Sequence, residues 1–334
     1  MKKNLLRSFH IPMNTLYPMK AMNINSTRNF LTARNGNKTA QYQMLLVGAA
    51  LFLSLFSPAW AQSNALDGNT NVPAAAKRDA TKEWKLVWSD EFNKDGLPDP
   101  AKWDYETGFV RNGEQQYYTR ARMENARVEN GMLVIEGRKE KFKNDDYKPD
   151  SKKPKEMNEY AEYTAASLIT LNKASWKYGK IEVRAKVPKG RGAWAAIWTL
   201  GENRSVVKWP KCGEIDILEF WGRSPGEVTS NFHFAGKNKN VPTMGRLAVP
   251  KVTDDFHTYA IEWSESVIDV YFDGKKYHSF SVDEAGLGEE NPFRKPQYLL
   301  LNLAMGGRIG GPIDEASLPQ KFLIDYVRVY SRSL

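Results

Sequence analysis

Cysteine is nearly absent from this sequence, with Cys212 standing alone. A single thiol cannot close an internal disulfide, so no disulfide framework holds the fold. The four histidines form no His/Cys cluster at metal-ligand spacing. Nothing pairs Cys212 with a histidine as a thiol nucleophile would require, and it reads as a small core residue. Long amphipathic helical periods are missing as well. Acidic residues are missing from the first 61 positions, which carry seven of the 48 Lys/Arg and none of the 39 Asp/Glu. Taking those seven away leaves 41 basic against 39 acidic residues, and the formal charge falls from +9 to +2. The basic balance therefore belongs to the N-terminus and gives no support for a nucleic-acid partner.

That N-terminus has its own logic. Basic residues lead into the apolar run Met44–Phe56, which ends in Ser57-Pro-Ala-Trp-Ala61, an A-x-A cleavage pattern. The run is too short for a membrane span of about 20 residues and reads as a secretory signal cut near Ala61. Residues 1–61 are thus expected to be a long leader, with Met22 or Met44 as alternative starts. The expected destination is the periplasm or the exterior, with no membrane association after cleavage. An uncleaved N-terminal anchor is the competing reading. Residues 62–83 are polar and alanine-rich without a period and are expected to be a flexible lead-in.

From residue 84 to 334 the texture is that of one large all-β domain. Short strand-type runs recur between turn signals, among them Trp84–Trp88, Met132–Glu136, Ala166–Leu171, Gly179–Val187, Ala195–Leu200, Thr258–Trp263 and Val267–Phe272. Asp273-Gly274 marks a hairpin turn. Phe322–Tyr330 alternates like a closing strand, and a short helical turn is expected near 284–296. Lys141–Glu162 is rich in Lys, Asp, Glu and Pro and is expected to be a long exposed loop.

The chemistry concentrates in Trp209–Trp221, where Glu214, Asp216 and Glu219 interrupt an apolar run. A strand alternates its side chains, so Glu214 and Asp216 share a face and Glu219 falls on the other. One β-bulge between Asp216 and Glu219 would bring all three together. Three ionised acids on one face repel, and the relief is for one to keep a proton near neutral pH. An ionised carboxylate beside a protonated one is what glycoside hydrolysis uses, about 5–5.5 Å apart for retention and about 6.5–9.5 Å for inversion. A straight strand would separate the outer pair by roughly 16 Å at ~3.3 Å per residue.

Gly213-Glu-Ile-Asp-Ile-Leu-Glu219 resembles the active-site signature of glycoside hydrolase family 16. Trp-Pro-Lys-Cys-Gly-Glu-Ile-Asp and Asn302-Leu-Ala-Met-Gly-Gly307 resemble its laminarinase branch, the endo-β-1,3-glucanases. The resemblance covers roughly residues 84–334 and implies a β-jelly-roll sandwich of two antiparallel sheets with an open cleft. It further implies hydrolysis of laminarin-like or mixed-linkage β-glucan with retention, by a monomer. Glu214 would be the nucleophile, Glu219 the acid/base, and Asp216 the residue that tunes the nucleophile. Hydrolysis and transglycosylation stay open. So do a galactan substrate of agar or carrageenan type and a non-catalytic β-glucan-binding protein, although such proteins tend to lack the glutamates retained here.

Sugar rings present apolar C–H faces to flat aromatics, and candidate platforms are Trp194, Trp198 and Trp209, with Trp221 flanking the acids. The family usually has Pro where Ala195 stands and often Trp where Ile309 stands. The resemblance also implies Asn112 and His233 as sugar contacts. No cofactor is implied for catalysis, but a structural Ca²⁺ held through Glu91 and Asp325 is.

Overall fold

The computed structural model describes residues 83–236 and 243–332. The expected leader (1–61) and nearly all of the lead-in (62–83) lie outside the described residues. None of the described helices is long and apolar enough to cross a membrane.

Two large sheets form a jelly roll. The first runs in the order Gly245–Ala248, Glu227–His233, Glu214–Trp221, Ala193–Gly201, Gln297–Met305, Ser167–Ile169 and Asp104–Tyr105. Every pairing in it is antiparallel. The second sheet runs from the Val267–Phe272/Lys275–Ser281 hairpin through His257–Trp263, Gly179–Lys186 and Gln320–Arg332 to Met132–Lys143 and Tyr160–Ala165. The hairpin turns at Asp273-Gly274, both at positive φ. One parallel pairing, Gln116–Tyr118 with Tyr160–Ala165, closes that edge.

The core lies between the sheets, and strand alternation decides who enters it. From the first sheet come Ala195, Ile197, Leu299, Leu301 and Leu303; from the second come Leu133, Ile135, Val183, Ile261 and Phe322. Ala195, where the family usually has proline, is a core-facing residue paired on both sides, with Phe220 and with Leu303. Cys212 is buried, but in a smaller cluster with Trp198, Leu200 and Tyr298.

Two local expectations change. Within 141–162 an exposed connection between two strands is present as expected, but it is shorter, spans 144–159 and contains a helical turn. Met132–Lys143 continues as strand to Lys143, a helical turn spans Pro154–Met157, and Tyr160 begins the next strand. Buried Asn144 organises the connection, since its Nδ2 donates to the carbonyls of Lys155 and Asn158 at 2.9 and 2.8 Å. Composition announced polarity there, and the ordering comes from side-chain bonds to backbone that composition does not reveal. Near 284–296 there are two short 3₁₀ turns rather than one, Val282–Ala285 and Pro292–Arg294.

Phe322 is fully buried on the central Gln320–Arg332 strand. Phe322→Ala should lower unfolding stability by about 3–5 kcal/mol, the cost of removing a buried aromatic and leaving a cavity. Urea denaturation followed by fluorescence measures it. A loss under about 1 kcal/mol would mean that the sheets do not pack through this residue.

Candidate active site

Gly213 leads into the acid-bearing strand at φ +78°, where a side chain would meet Pro292. The strand Glu214–Trp221 then shows a break in phase. Its register slips between Asp216 and Glu219 against Glu227–His233, and between Asp216 and Leu218 against Ala193–Gly201. Ile215, Ile217, Leu218 and Phe220 all enter the inter-sheet core. Two consecutive residues, Ile217 and Leu218, thus face inward, and Glu219 returns to the face of Glu214 and Asp216. The bulge inferred from the sequence is present.

Neighbouring strands supply the surroundings of the acids. Glu214 lies opposite His233, Asp216 opposite Asn231 and Trp198, and Glu219 opposite Thr229 and Ala196. The His233 Nε2 sits 3.5 Å from Glu214 Oε1 and 3.3 Å from Asp216 Oδ2. Asn231 Nδ2 lies 3.1 Å from the same ring nitrogen. The Trp209 indole, 58% exposed, donates its N–H to Glu214 Oε2 at 3.0 Å. The Trp194 N–H donates to Glu219 Oε1 at 3.1 Å. The Trp221 N–H also favours the Glu219 anion but falls short of a bonded geometry.

Burial pushes all three carboxyls up, each to about 8, and the Asp216 charge raises both glutamates further. Mutual repulsion and lost hydration make a fully ionised trio costly. The charges of His233 and Arg111 work the other way on Glu214, while Asp216 feels burial above all. Glu219 is likewise eased toward ionisation by His233 and by the Trp194 N–H. Glu214, Asp216 and His233 bring polar atoms within 4.8 Å of one another, the one His/Cys/Asp/Glu cluster of this kind among the described residues. Its positions are those of the acid site itself.

Trp194 packs with Trp221, Ala304 and Ile309. Ile309 thus occupies space beside the indole pair where the family often has another ring. Trp198 donates to Asn302 Oδ1 at 2.7 Å, and Asn302 Nδ2 donates to the Tyr118 hydroxyl at 2.9 Å. Asn112, at φ +58°, donates to Glu114 Oε1 at 3.2 Å, so its amide is held at the rim by a buried carboxyl. Burial also raises Glu114.

Sequence reasoning missed Arg111, Glu114 and Glu106. The Arg111 guanidinium stacks 4.9 Å from the Trp198 ring, is paired with Glu106, and lies close enough to favour ionisation of Glu214. Glu106 in turn accepts from Ser167 Oγ at 2.8 Å. Of the run Arg111-Asn-Gly-Glu114 only Asn112 was singled out, and the charged partner of Arg111 lies five residues upstream.

The residues suggested for calcium each meet an arginine. Glu91 accepts two bonds from Arg328, at 3.0 and 2.8 Å, and Asp325 is paired with Arg184. Both carboxylates are partly exposed and each is paired with an arginine.

The description "Glycosyl hydrolases family 16" matches residues 113–328. The chain is 42% identical over 266 residues to a β-glucanase of Rhodothermus marinus, covering 76% of this chain and 87% of that one. Among solved structures, the laminarinase from Rhodothermus marinus aligns with a TM-score of 0.66 at 42% identity, covering 76% of this chain and all of that one. A structure concerned with endo-acting O-glycanases from the human gut microbiota aligns with a TM-score of 0.69 at 40% identity, over 74% of this chain and 91% of that one.

The acid cluster predicts an alkaline instability. Each carboxyl is raised on folding, so between about pH 4.5 and 8 the folded state binds more protons than the unfolded one. The cluster's contribution is present below that window and is lost as pH rises through it. Asp216→Asn removes one such group. Relative to wild type, the variant should gain thermal stability between pH 5 and pH 9, by a few degrees on the order expected for a domain of this size. Parallel melting curves at the two pH values would contradict the raised carboxyl.

Proposed function

The chain belongs to glycosyl hydrolase family 16, and on that premise we propose that it is an exported, retaining endo-β-glucanase acting on β-1,3- or mixed-linkage glucan. The carrying observation is the bulge that gathers Glu214, Asp216 and Glu219 on one face beside an exposed indole. The 42% identity to a β-glucanase and to a laminarinase supports a glucan substrate. The similarity to an O-glycanase structure makes a mucin O-glycan the comparison to run.

Each residue has a task that follows from its surroundings. Glu214, with the Trp209 N–H on one oxygen and His233 and Arg111 nearby, attacks the anomeric carbon as a carboxylate. Glu219, raised by burial, gives its proton to the departing glycosidic oxygen. The sugar is then held as an ester on Glu214. Glu219, now ionised, takes a proton from the incoming water, and the ester is cleaved with the original β configuration restored. Asp216 keeps a proton in its buried position and steadies the Glu214 carboxylate. Trp209 offers its exposed indole surface to a pyranose C–H face at the Glu214 end of the acid row, while the largely buried Trp194 acts through its N–H on Glu219.

Export would follow cleavage near Ala61, and a mature chain beginning at Gln62 is the corresponding reading. Intact mass of the exported protein tests it, and retention of residues 44–60 would point to an anchor.

The decisive test joins stereochemistry to residue role. Wild-type enzyme should release β-anomeric product from laminarin, seen by proton NMR within minutes of mixing. Glu214→Gln should cost at least about 10⁴-fold in kcat with the fold intact by circular dichroism, because an amide cannot form the ester. Initial α product, or an amide variant within tenfold of wild type, would overturn the assignment.

Glu219→Ala separates the acid from the nucleophile. It should retain far more activity on an aryl glycoside with a good leaving group than on glucan. Added azide should accelerate it and yield a β-glycosyl azide. Equal losses on both substrates would assign the proton donor elsewhere.

A further inference from the structure

Beside the acid site the molecule holds a groove of about 900 Å³ between residues 109–115 and 154–163. Its inner wall is the turn carrying Arg111, Asn112 and Glu114, which already touches the acid cleft. Arg111 covers Trp198, and Glu114 accepts from Gln116 Nε2 at 2.7 Å beneath Tyr118 and Asn302. The turn is backed by the glycine-rich rim, where Gly307 lies so close to the Glu114 backbone that a side chain would be squeezed at 3.2 Å. The turn thus has the acid cleft's Trp198 on one side and the groove on the other.

The outer wall is the segment that composition had suggested was a free loop. Asn144 bonds to the carbonyls of Lys155 and Asn158, Ser151 Oγ donates to Glu156 at 2.7 Å, and the Lys148 N–H donates to the Glu156 carbonyl at 3.0 Å. These bonds fix the helical turn Pro154–Met157 and set Met157 and Tyr160 at the groove, 52% and 40% exposed. Lys141 Nζ lies 4.0 Å from the Tyr160 ring and covers one of its faces. Wall and platform are in place before any ligand arrives, which lowers the ordering cost of binding.

We propose that this groove is an outer sugar-binding site that extends the cleft and takes a neutral gluco-oligosaccharide segment. This proposal rests on the glucan reading above. The volume falls in the range of ordinary ligand sites. Charge decides the ligand class. The lining carries two basic residues, Arg111 and Lys155, against three acids, Glu114, Glu159 and Glu162. Arg111 is committed to Glu106. No cationic excess is left for a sulfated or uronic chain, whereas an exposed ring and thioether beside amide and carboxyl groups suit a neutral pyranose. The segment 154–163 thereby adds binding energy that only longer substrates can use.

The test is chain-length dependence. Rates on β-1,3-gluco-oligosaccharides of increasing length are measured for wild type, Tyr160→Ala and Met157→Ala, alongside binding of the longest chain to the Glu214→Gln protein with and without Tyr160→Ala. Both exposed positions lie outside the core, so folding is retained. The expected result is an unchanged kcat/KM on the shortest chains cleaved and a loss of about tenfold on the longest, equivalent to 1.4 kcal/mol. The loss should reside in KM and recur in the binding measurement. An active wild type whose variants keep the full length increment would overturn the groove alone. A wild type inert on every β-1,3- and mixed-linkage glucan would overturn the functional reading and, with it, the glucan occupant. Tighter binding of sulfated than of neutral oligosaccharide would overturn the ligand class.

Discussion

The site depends on one extra residue in one strand. Pleated geometry sends alternate side chains to opposite faces, and no choice of side chain can change that. Only a local break in the ladder can put Glu214, Asp216 and Glu219 together. The break is held by packing: Ile217 and Leu218 both lie in the inter-sheet core and are fully buried. Returning the strand to regular phase would expel one of them and turn Glu219 into the apolar layer. Hydrophobic burial on one face thus enforces an unfavourable gathering of acids on the other.

That gathering is where structure becomes chemistry. Three carboxyls share a poorly hydrated face, and their mutual repulsion spreads over a set of partners that are not alike. Glu214 has an indole donor, a nearby histidine and an arginine within electrostatic reach. Glu219 has a single bonded indole donor, and Asp216 is governed by burial. The two glutamates thus differ in their bonded partners without any difference in residue type. The burial that raises these carboxyls comes with packing on the other face of the same strand.

The walls of the cleft come from further afield. Trp198, Asn302 and Tyr118 form a hydrogen-bonded chain across three strands, and the Arg111 turn rests on it. Beyond that turn, Asn144 ties the 144–159 connection into a second wall. Polar groups thus position the walls, while the aliphatic layer beneath holds the strands.

Much of this was legible in the order of residues. Short alternating runs specify strands, because a half-buried pleat requires them, and E-x-D-x-x-E in an apolar run specifies both the acids and the need for a bulge. The indoles at 194, 198 and 209 were visible as an aromatic excess around those acids. Other features rest on pairings across long stretches of chain. The pairing of Glu91 with Arg328 and of Asp325 with Arg184 left no trace in the sequence. Asn112 was visible, but the buried Glu114 that holds it and the Glu106 that neutralises Arg111 were not. The stretch 141–162 looked unstructured because its ordering is done by one buried amide bonding to backbone, which leaves no periodic trace. Local periodicity and steric pleating are encoded within a few residues, so the sequence alone determined the strands and the acid row. Which charge meets which, and what becomes a wall, depends on segments that only the closed sheets bring together.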